Sequence, residues 1–238
     1  MNILWRLRIL SFYFLVSIWS CFCFSILLIM HLLVVNYDTK YILARFYACG
    51  FIKLLKMICG IDYEVEGAEN IPQKECVIAL NHQSFWDNII VVVIFPRQSW
   101  VMKRELFYIP FFGWGLKMMG TIAIDRGNDL SVAQILREGT RKLMQKLSIV
   151  IFPEGTRLNY GESRNLRPSF AKLAITNNVG ILPVVHNAGL YWPKGFWMKQ
   201  PGTIKVKIGQ IVQTYEIDDP RDVTLRIQEW INEEKDKL

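Results

Sequence analysis

From Ile9 through Tyr37 the chain runs without a single Lys, Arg, Asp or Glu. No other feature limits the fold as much. Wound into a helix, this run would reach about 43 Å, beyond the roughly 30 Å hydrocarbon core of a bilayer. A cleaved signal peptide fits it poorly, because the run is long and lacks an obvious small-residue cleavage site. A buried helix of a soluble protein is the plainer alternative. Arg6 and Arg8 flank one side while Lys40, Arg45, Lys53 and Lys56 follow the other, so orientation stays open: the segment could span, tilt, or dip in and return. Within Tyr41 to Cys59, Leu43, Phe46, Tyr47, Phe51, Leu54 and Ile58 recur at spacings of about three or four. That predicts a second, amphipathic helix, interfacial or packed on the first.

Gly60 is placed to end this region, so residues 1–60 read as an N-terminal membrane-associated helical region and 61–238 as a separate α/β domain. Short apolar runs predict strands near Tyr63–Val65, Cys76–Leu80, Trp100–Met102, Thr121–Ile124, Ser148–Phe152, Ile181–Val185 and Thr203–Ile208. Pro183 argues for an edge position or a bulge in its strand. Helices are expected over Asn88–Phe95, Leu130–Gln145 (with Asp129 as cap), Phe170–Thr176 and a C-terminal stretch opening at Asp218-Asp219-Pro220. Buried strands alternating with helices predict an α/β fold. The aromatic stretch Phe107 to Trp114 has two readings, as core or as a surface touching membrane or acyl chain.

Hydrophobic residues make up 52% and charged ones 21%, which excludes global disorder. The net charge of +7 suits anionic lipid, a phosphorylated substrate or nucleic acid. The apolar N-terminus tilts that choice toward lipid, and no basic helix or aromatic RNA-binding motif supports a nucleic-acid partner. Five cysteines with no CxxC read as reduced thiols. No metal-ligand spacing and no glycine-rich nucleotide loop is visible, so neither a metal nor a cofactor is expected.

Three stretches place polar side chains beside apolar runs: Asn81-His82-Gln83-Ser84-Phe85-Trp86-Asp87, Gly120 to Asp125-Arg126, and Phe152-Pro153-Glu154-Gly155-Thr156-Arg157. On one regular helix His82 and Asp87 would lie about 140° apart. They can meet only if His82 precedes a helix that begins between Ser84 and Asp87. A carboxylate on one imidazole nitrogen fixes the tautomer and leaves the other free as a general base. The competing reading is a satisfied buried histidine with Asn81 or Ser84 as a helix cap. Ser84 lacks a GxSxG frame and is a poor nucleophile candidate. Arg126 and Arg157 carry rigid forks suited to phosphate oxygens, or else pair with Asp125 or Glu154. Gly155 could face an oxyanion with its N–H or be a plain turn glycine. Glu154 could orient an arginine or a substrate hydroxyl, or cap a local turn, and Thr156 reads most simply as a local backbone partner.

With the hydrophobic block Ile181-Leu182-Pro183-Val184-Val185, these stretches stand in the order that marks the 1-acylglycerol-3-phosphate acyltransferase family, and the chain resembles its bacterial members over roughly Tyr63 to Val212. The resemblance implies a glycerol-3-phosphate acyltransferase-like α/β domain with a mixed or largely parallel central sheet and an N-terminal two-helix membrane motif. It implies His82 as base and Asp87 as its orienting carboxylate, with Arg126, Glu154, Gly155, Thr156 and Arg157 binding the acceptor. The reaction implied is direct transfer from acyl-CoA or acyl-carrier protein to the sn-2 hydroxyl of a lysophospholipid, giving phosphatidic acid. The implied location is the inner membrane, with the catalytic domain facing the cytoplasm. Another lysolipid acceptor, such as lyso-ornithine lipid, and a non-catalytic lipid-binding protein are the alternatives. Ser169 stands where many members have glycine, with Arg167 keeping the preceding positive charge. His186, just after the proline block, is expected to be structural or peripheral.

Overall fold

The computed structural model describes residues 3–125, 130–215 and 219–238. Helix α1, Ile3–Leu32, buries only the stripe Ile9, Phe12, Val16 and Cys23. Its other faces remain apolar yet exposed, through residues such as Leu4, Leu7, Phe14, Ile18, Phe22 and Ile29. It is the one described helix long and apolar enough to cross a membrane, with a mean hydropathy of 2.3. Helix α2, Tyr37–Cys59, starts four residues before the apolar spacing suggests because Asn36 caps it, accepting from the Thr39 N–H at 2.9 Å. It ends where the sequence says, at Gly60, whose φ of 66° supplies the left-handed turn. The two helices approach closely at Gly50, where a Cβ would sit 2.5 Å from the Trp19 ring.

Seven strands follow: β1 Ile61–Glu66, β2 Val77–Leu80, β3 Gln98–Lys103, β4 Ile122–Ile124, β5 Ser148–Ile151, β6 Ile181–His186 and β7 Gly202–Ile208. They form one sheet in the order β1-β7-β6-β2-β5-β3-β4, parallel throughout except where β6 meets β7. The remaining helices are α3 Asp87–Ile94, α4 Phe112–Met118, α5 Leu130–Met144, α6 Ser169–Thr176, α7 Ala188–Tyr191 and α8 Pro220–Lys235. Side chains alternate along β2: Ile78 and Leu80 join the core under α2 and α3, while Val77 and Ala79 join the core under α5, α6 and α8. Two apolar layers thus sandwich the sheet, as parallel strands require. The cap of α5 expected from Asp129 lies outside the described residues. That of α8 is Asp219, accepting from the Arg221 N–H at 2.8 Å.

Pro183 corrects one expectation. It sits in β6, an interior strand between β7 and β2, with no edge. The lost donor falls at the end of the β6–β7 ladder, whose register begins at Val184, and the Pro183 carbonyl still accepts from the Gly209 N–H at 2.9 Å. The aromatic stretch splits into a 3-10 turn, Arg104–Tyr108, and α4. Phe107 is core, whereas Tyr108, Phe111 and Trp114 are exposed, and the Phe111 and Trp114 rings lie against Phe24 of α1.

Candidate active site

The crevice outside the carboxyl ends of parallel strands is where open α/β sheets place their ligands. Here β2 ends at Leu80, and Asn81 to Trp86 turns into α3. The helix begins at Asp87, so the bend demanded by the five-residue separation is present. His82 Nδ1 lies 2.8 Å from Asp87 Oδ2. The same oxygen accepts from the backbone N–H of Gln83 at 2.8 Å and of Ser84 at 2.9 Å. Three donors on one oxygen require a carboxylate, so Nδ1 carries a proton, and in the neutral ring Nε2 is the nitrogen with the lone pair. Burial alone would raise the Asp87 pKa; the His186 and His82 imidazoles and the Ser84 N–H outweigh it and hold it below the usual carboxylate value. The His82 ring is fixed from the side by Phe152, stacked at 4.0 Å between centroids.

The Phe152–Arg157 stretch closes round the backbone of His82. Glu154 Oε2 accepts from the His82 N–H at 2.8 Å, and the Leu158 N–H donates to the His82 carbonyl at 2.8 Å. Arg157, the residue before Leu158, therefore lies beside the histidine in space although 75 positions away in sequence (157 − 82). Its side chain is exposed and, among the described residues, makes no ion pair with Glu154 or Asp125. Asp125 instead pairs with Arg104 at 2.6 Å. Arg126 lies outside the described residues. Glu154 is buried, which raises its pKa to about 7 even though the His82 N–H and the distant charge of Lys235 oppose the shift. Gly155 occupies the left-handed region at φ 72°, and its N–H donates to the Phe152 carbonyl at 3.0 Å, closing a turn. A Cβ there would meet Arg167 Nε at 3.1 Å, so the glycine lets that guanidinium lie across the loop. Thr156 is half-buried beside it.

His186, expected from the sequence to be structural or peripheral, is internal and sits behind the His82–Asp87 pair. It is fully buried at the end of β6, with Nε2 3.3 Å from Asp87 Oδ1. Among the described residues neither atom has a hydrogen-bond partner, so the contact between them is one of electrostatic proximity. His186 Nδ1 accepts from the Ala188 N–H at 3.1 Å, so the proton sits on Nε2 and the ring is neutral. Burial, only partly offset by Asp87, pushes its pKa down accordingly. Asn81 holds this histidine in place: its side chain donates to the His186 carbonyl at 2.9 Å and accepts from the His186 N–H at 3.0 Å. Gln83 Oε1 adds a bond from the Gly189 N–H at 2.9 Å. The available signal was that the α/β domain contains just two histidines, one in an ordered block and one directly after another. Among the described residues no three His, Cys, Asp or Glu side chains converge as metal ligands.

On the opposite face of the sheet, a cavity of about 410 Å³ is lined by apolar residues including Val101, Ile135 and Ile151, together with Gly155 and the cations Arg167, Lys172 and Arg221.

Comparison with known proteins points to one family. The family model described as acyltransferase matches residues 62–187. A 1-acyl-sn-glycerol-3-phosphate acyltransferase from Pseudomonas aeruginosa is 42% identical over 190 residues, covering 78% of this chain and 74% of the relative. The enzyme of the same name from Saccharomyces cerevisiae is 34% identical over 141 residues, covering 57% of this chain. There the chain spans about half the relative's length, 46%. The crystal structure of the 1-acyl-sn-glycerophosphate (LPA) acyltransferase PlsC from Thermotoga maritima has the same fold, with a TM-score of 0.82 at 24% identity over 98% of this chain and 95% of that one.

Proposed function

The chain belongs to the acyltransferase family, and from that premise we propose that it acylates the sn-2 hydroxyl of 1-acylglycerol-3-phosphate from an acyl thioester, giving phosphatidic acid. The observation that carries the chemistry is the 2.8 Å contact between His82 Nδ1 and Asp87, which leaves Nε2 unprotonated at the mouth of the crevice. His82 Nε2 takes the hydroxyl proton as the acceptor oxygen bonds to the thioester carbonyl carbon. Collapse of the tetrahedral adduct breaks the C–S bond, and the imidazolium returns the proton to the departing sulfur. Asp87 stays ionised and steadies the imidazolium between the two steps. A thioester is already activated, so alignment of base, carbonyl and hydroxyl supplies most of what remains.

Arg157, exposed beside His82 and uncommitted among the described residues, is the proposed anchor for the acceptor phosphate, with Arg126 as its expected companion. Glu154 acts by fixing the His82 backbone, and Gly155 and Thr156 shape the loop that presents Arg157. The cavity across the sheet, apolar within and cationic in part, suits an acyl chain ending in an anionic group. The donor is acyl-CoA or acyl-carrier protein. Residues 1–60 attach the domain to the membrane, where the amphiphilic acceptor and product reside. In a bacterial cell that is the inner membrane, with the α/β domain facing the cytoplasm. The test is an acceptor-by-donor activity matrix in detergent, wild type beside His82→Ala. Transfer to lysophosphatidate that depends on His82 is expected; equal rates for both proteins would overturn the proposal.

A further inference from the structure

A second, smaller cavity of about 230 Å³ lies along the free edge of β4, away from the histidine pair. Its lining combines the edge backbone from Gly120 to Ala123 with four cations, Arg104, Arg137, Arg141 and Lys142, against one acid, Glu138. Glu138 is already bridged to Arg137 at 3.2 Å and to Arg141 at 2.7 Å. Lys142 is the unusual member. It is 8% exposed, and among the described residues its ammonium has no ion pair. It reaches the cavity over Gly120, where a Cβ would stand 2.6 Å from Nζ. A glycine at φ 66° thus leaves the room that the ammonium occupies.

Crowding of like charge is costly, and partial burial with the neighbouring Arg141 lowers the Lys142 pKa, only partly offset by Glu138. The arrangement persists at no such cost when an anion fills the space. We propose that this cavity is a binding site for a phosphate or diphosphate group, held by Lys142 and Arg141 with Arg104 and Arg137 at its margin. The guanidiniums offer forked donors and the ammonium a point charge, the usual partners of phosphate oxygens. The free edge of β4 adds main-chain groups not used by a neighbouring strand. The cavity volume admits one or two phosphates and excludes a whole nucleotide, so the rest of the ligand would lie outside. Gly120, so far without a role, becomes the residue that makes the site possible.

Two sources carry that chemistry: the nucleotide end of a soluble thioester donor, and the headgroup of an anionic phospholipid. The first rests on the acyl-transfer reading, the second does not. The test is calorimetric titration of the full chain in detergent with adenosine 3′,5′-bisphosphate, with inorganic diphosphate and with dihexanoyl phosphatidylglycerol. Each is compared with Lys142→Met and with Arg141→Gln. Saturable binding of at least one probe is expected, weakened about tenfold or more by either substitution. Preference for the bisphosphate names the soluble donor, and preference for the lipid names the headgroup. No saturable binding, or the same affinity in wild type and both variants, would overturn the site. Should Lys142→Met fail to fold, Arg141→Gln, altering an exposed side chain, carries the comparison alone. Because binding and not turnover is read, loss of this site is distinguishable from failure of the acyltransferase proposal.

Discussion

At the His82 end of the candidate active site, Asn81, Gln83, Asp87 and Glu154 are buried, and each bonds to a fixed partner. At the Arg157 end the guanidinium is exposed and uncommitted among the described residues. Both ends are carried by neighbouring loops, so the contrast does not follow from distance. It follows from what each must do. Proton transfer tolerates little misalignment, and a base held by a carboxylate, a stacked ring and two backbone bonds keeps its orientation without substrate. The phosphate anchor proposed for Arg157 would have to admit an amphiphile, and its bonds would form only once the ligand had arrived.

The largest test of that contrast is His82→Ala, expected to cut turnover by roughly a thousandfold, inside the range of a positioned general base, with little change in acceptor KM. A smaller loss would mean that alignment, not the base, carries the rate. Glu154→Gln tests the rigid end through stability. Folding raises the Glu154 pKa from 4.5 to about 7, so the folded state holds its proton more tightly than the unfolded chain does. The cost of ionising it therefore grows as pH rises from 4.5 to 7 and stays constant above. The glutamine variant should gain up to about 3 kcal/mol at pH 8 and almost nothing at pH 4.5. Thermal unfolding at those two values reads this, and equal shifts at both would refute it. Arg157→Ala should raise the KM for lysophosphatidate roughly tenfold to a hundredfold and leave kcat within about threefold. A matching defect with an acceptor lacking phosphate would deny it the anchoring role. The smallest effect is at His186. Without the Nε2–H facing Oδ1, the Asp87 carboxylate keeps more of its negative charge and favours the protonated partner imidazole. His186→Phe should lower kcat about five- to tenfold and move the acid limb of the pH–rate profile to higher pH. His186→Gln, which retains an N–H donor, should restore much of the limb; a purely space-filling role would leave the limb unmoved.

Much of the architecture was legible where one short stretch decides its own conformation. Gly60 ends α2 and Asp219-Pro220 starts α8 because cap chemistry is local. The bend before α3 was legible for a different reason: two side chains five apart can meet in few ways. Pro183 misled because proline reports a missing donor, and whether that donor is needed depends on where the neighbouring strand ends. The partners of His186 were out of reach because Asn81 and Asp87 lie about a hundred residues away and nothing in its own neighbourhood announces them. The bond of Glu154 to the His82 backbone was illegible for the same reason, because its partner lies 72 positions away.

The position of β2 in the middle of the sheet has a consequence for the order in which the protein comes into being. Both of its neighbours are made later: β5 begins at Ser148 and β6 at Ile181. During synthesis the strand that leads to His82 emerges after α1 and α2, and it has no sheet to join until most of the chain exists. The clasp of Asn81 on His186 spans 105 positions and closes among the last native contacts. A chain halted before His186 would hold both N-terminal helices and the His82–Asp87 stretch without the histidine that Asn81 clasps, so the long apolar helix exists well before the frame of the candidate site does.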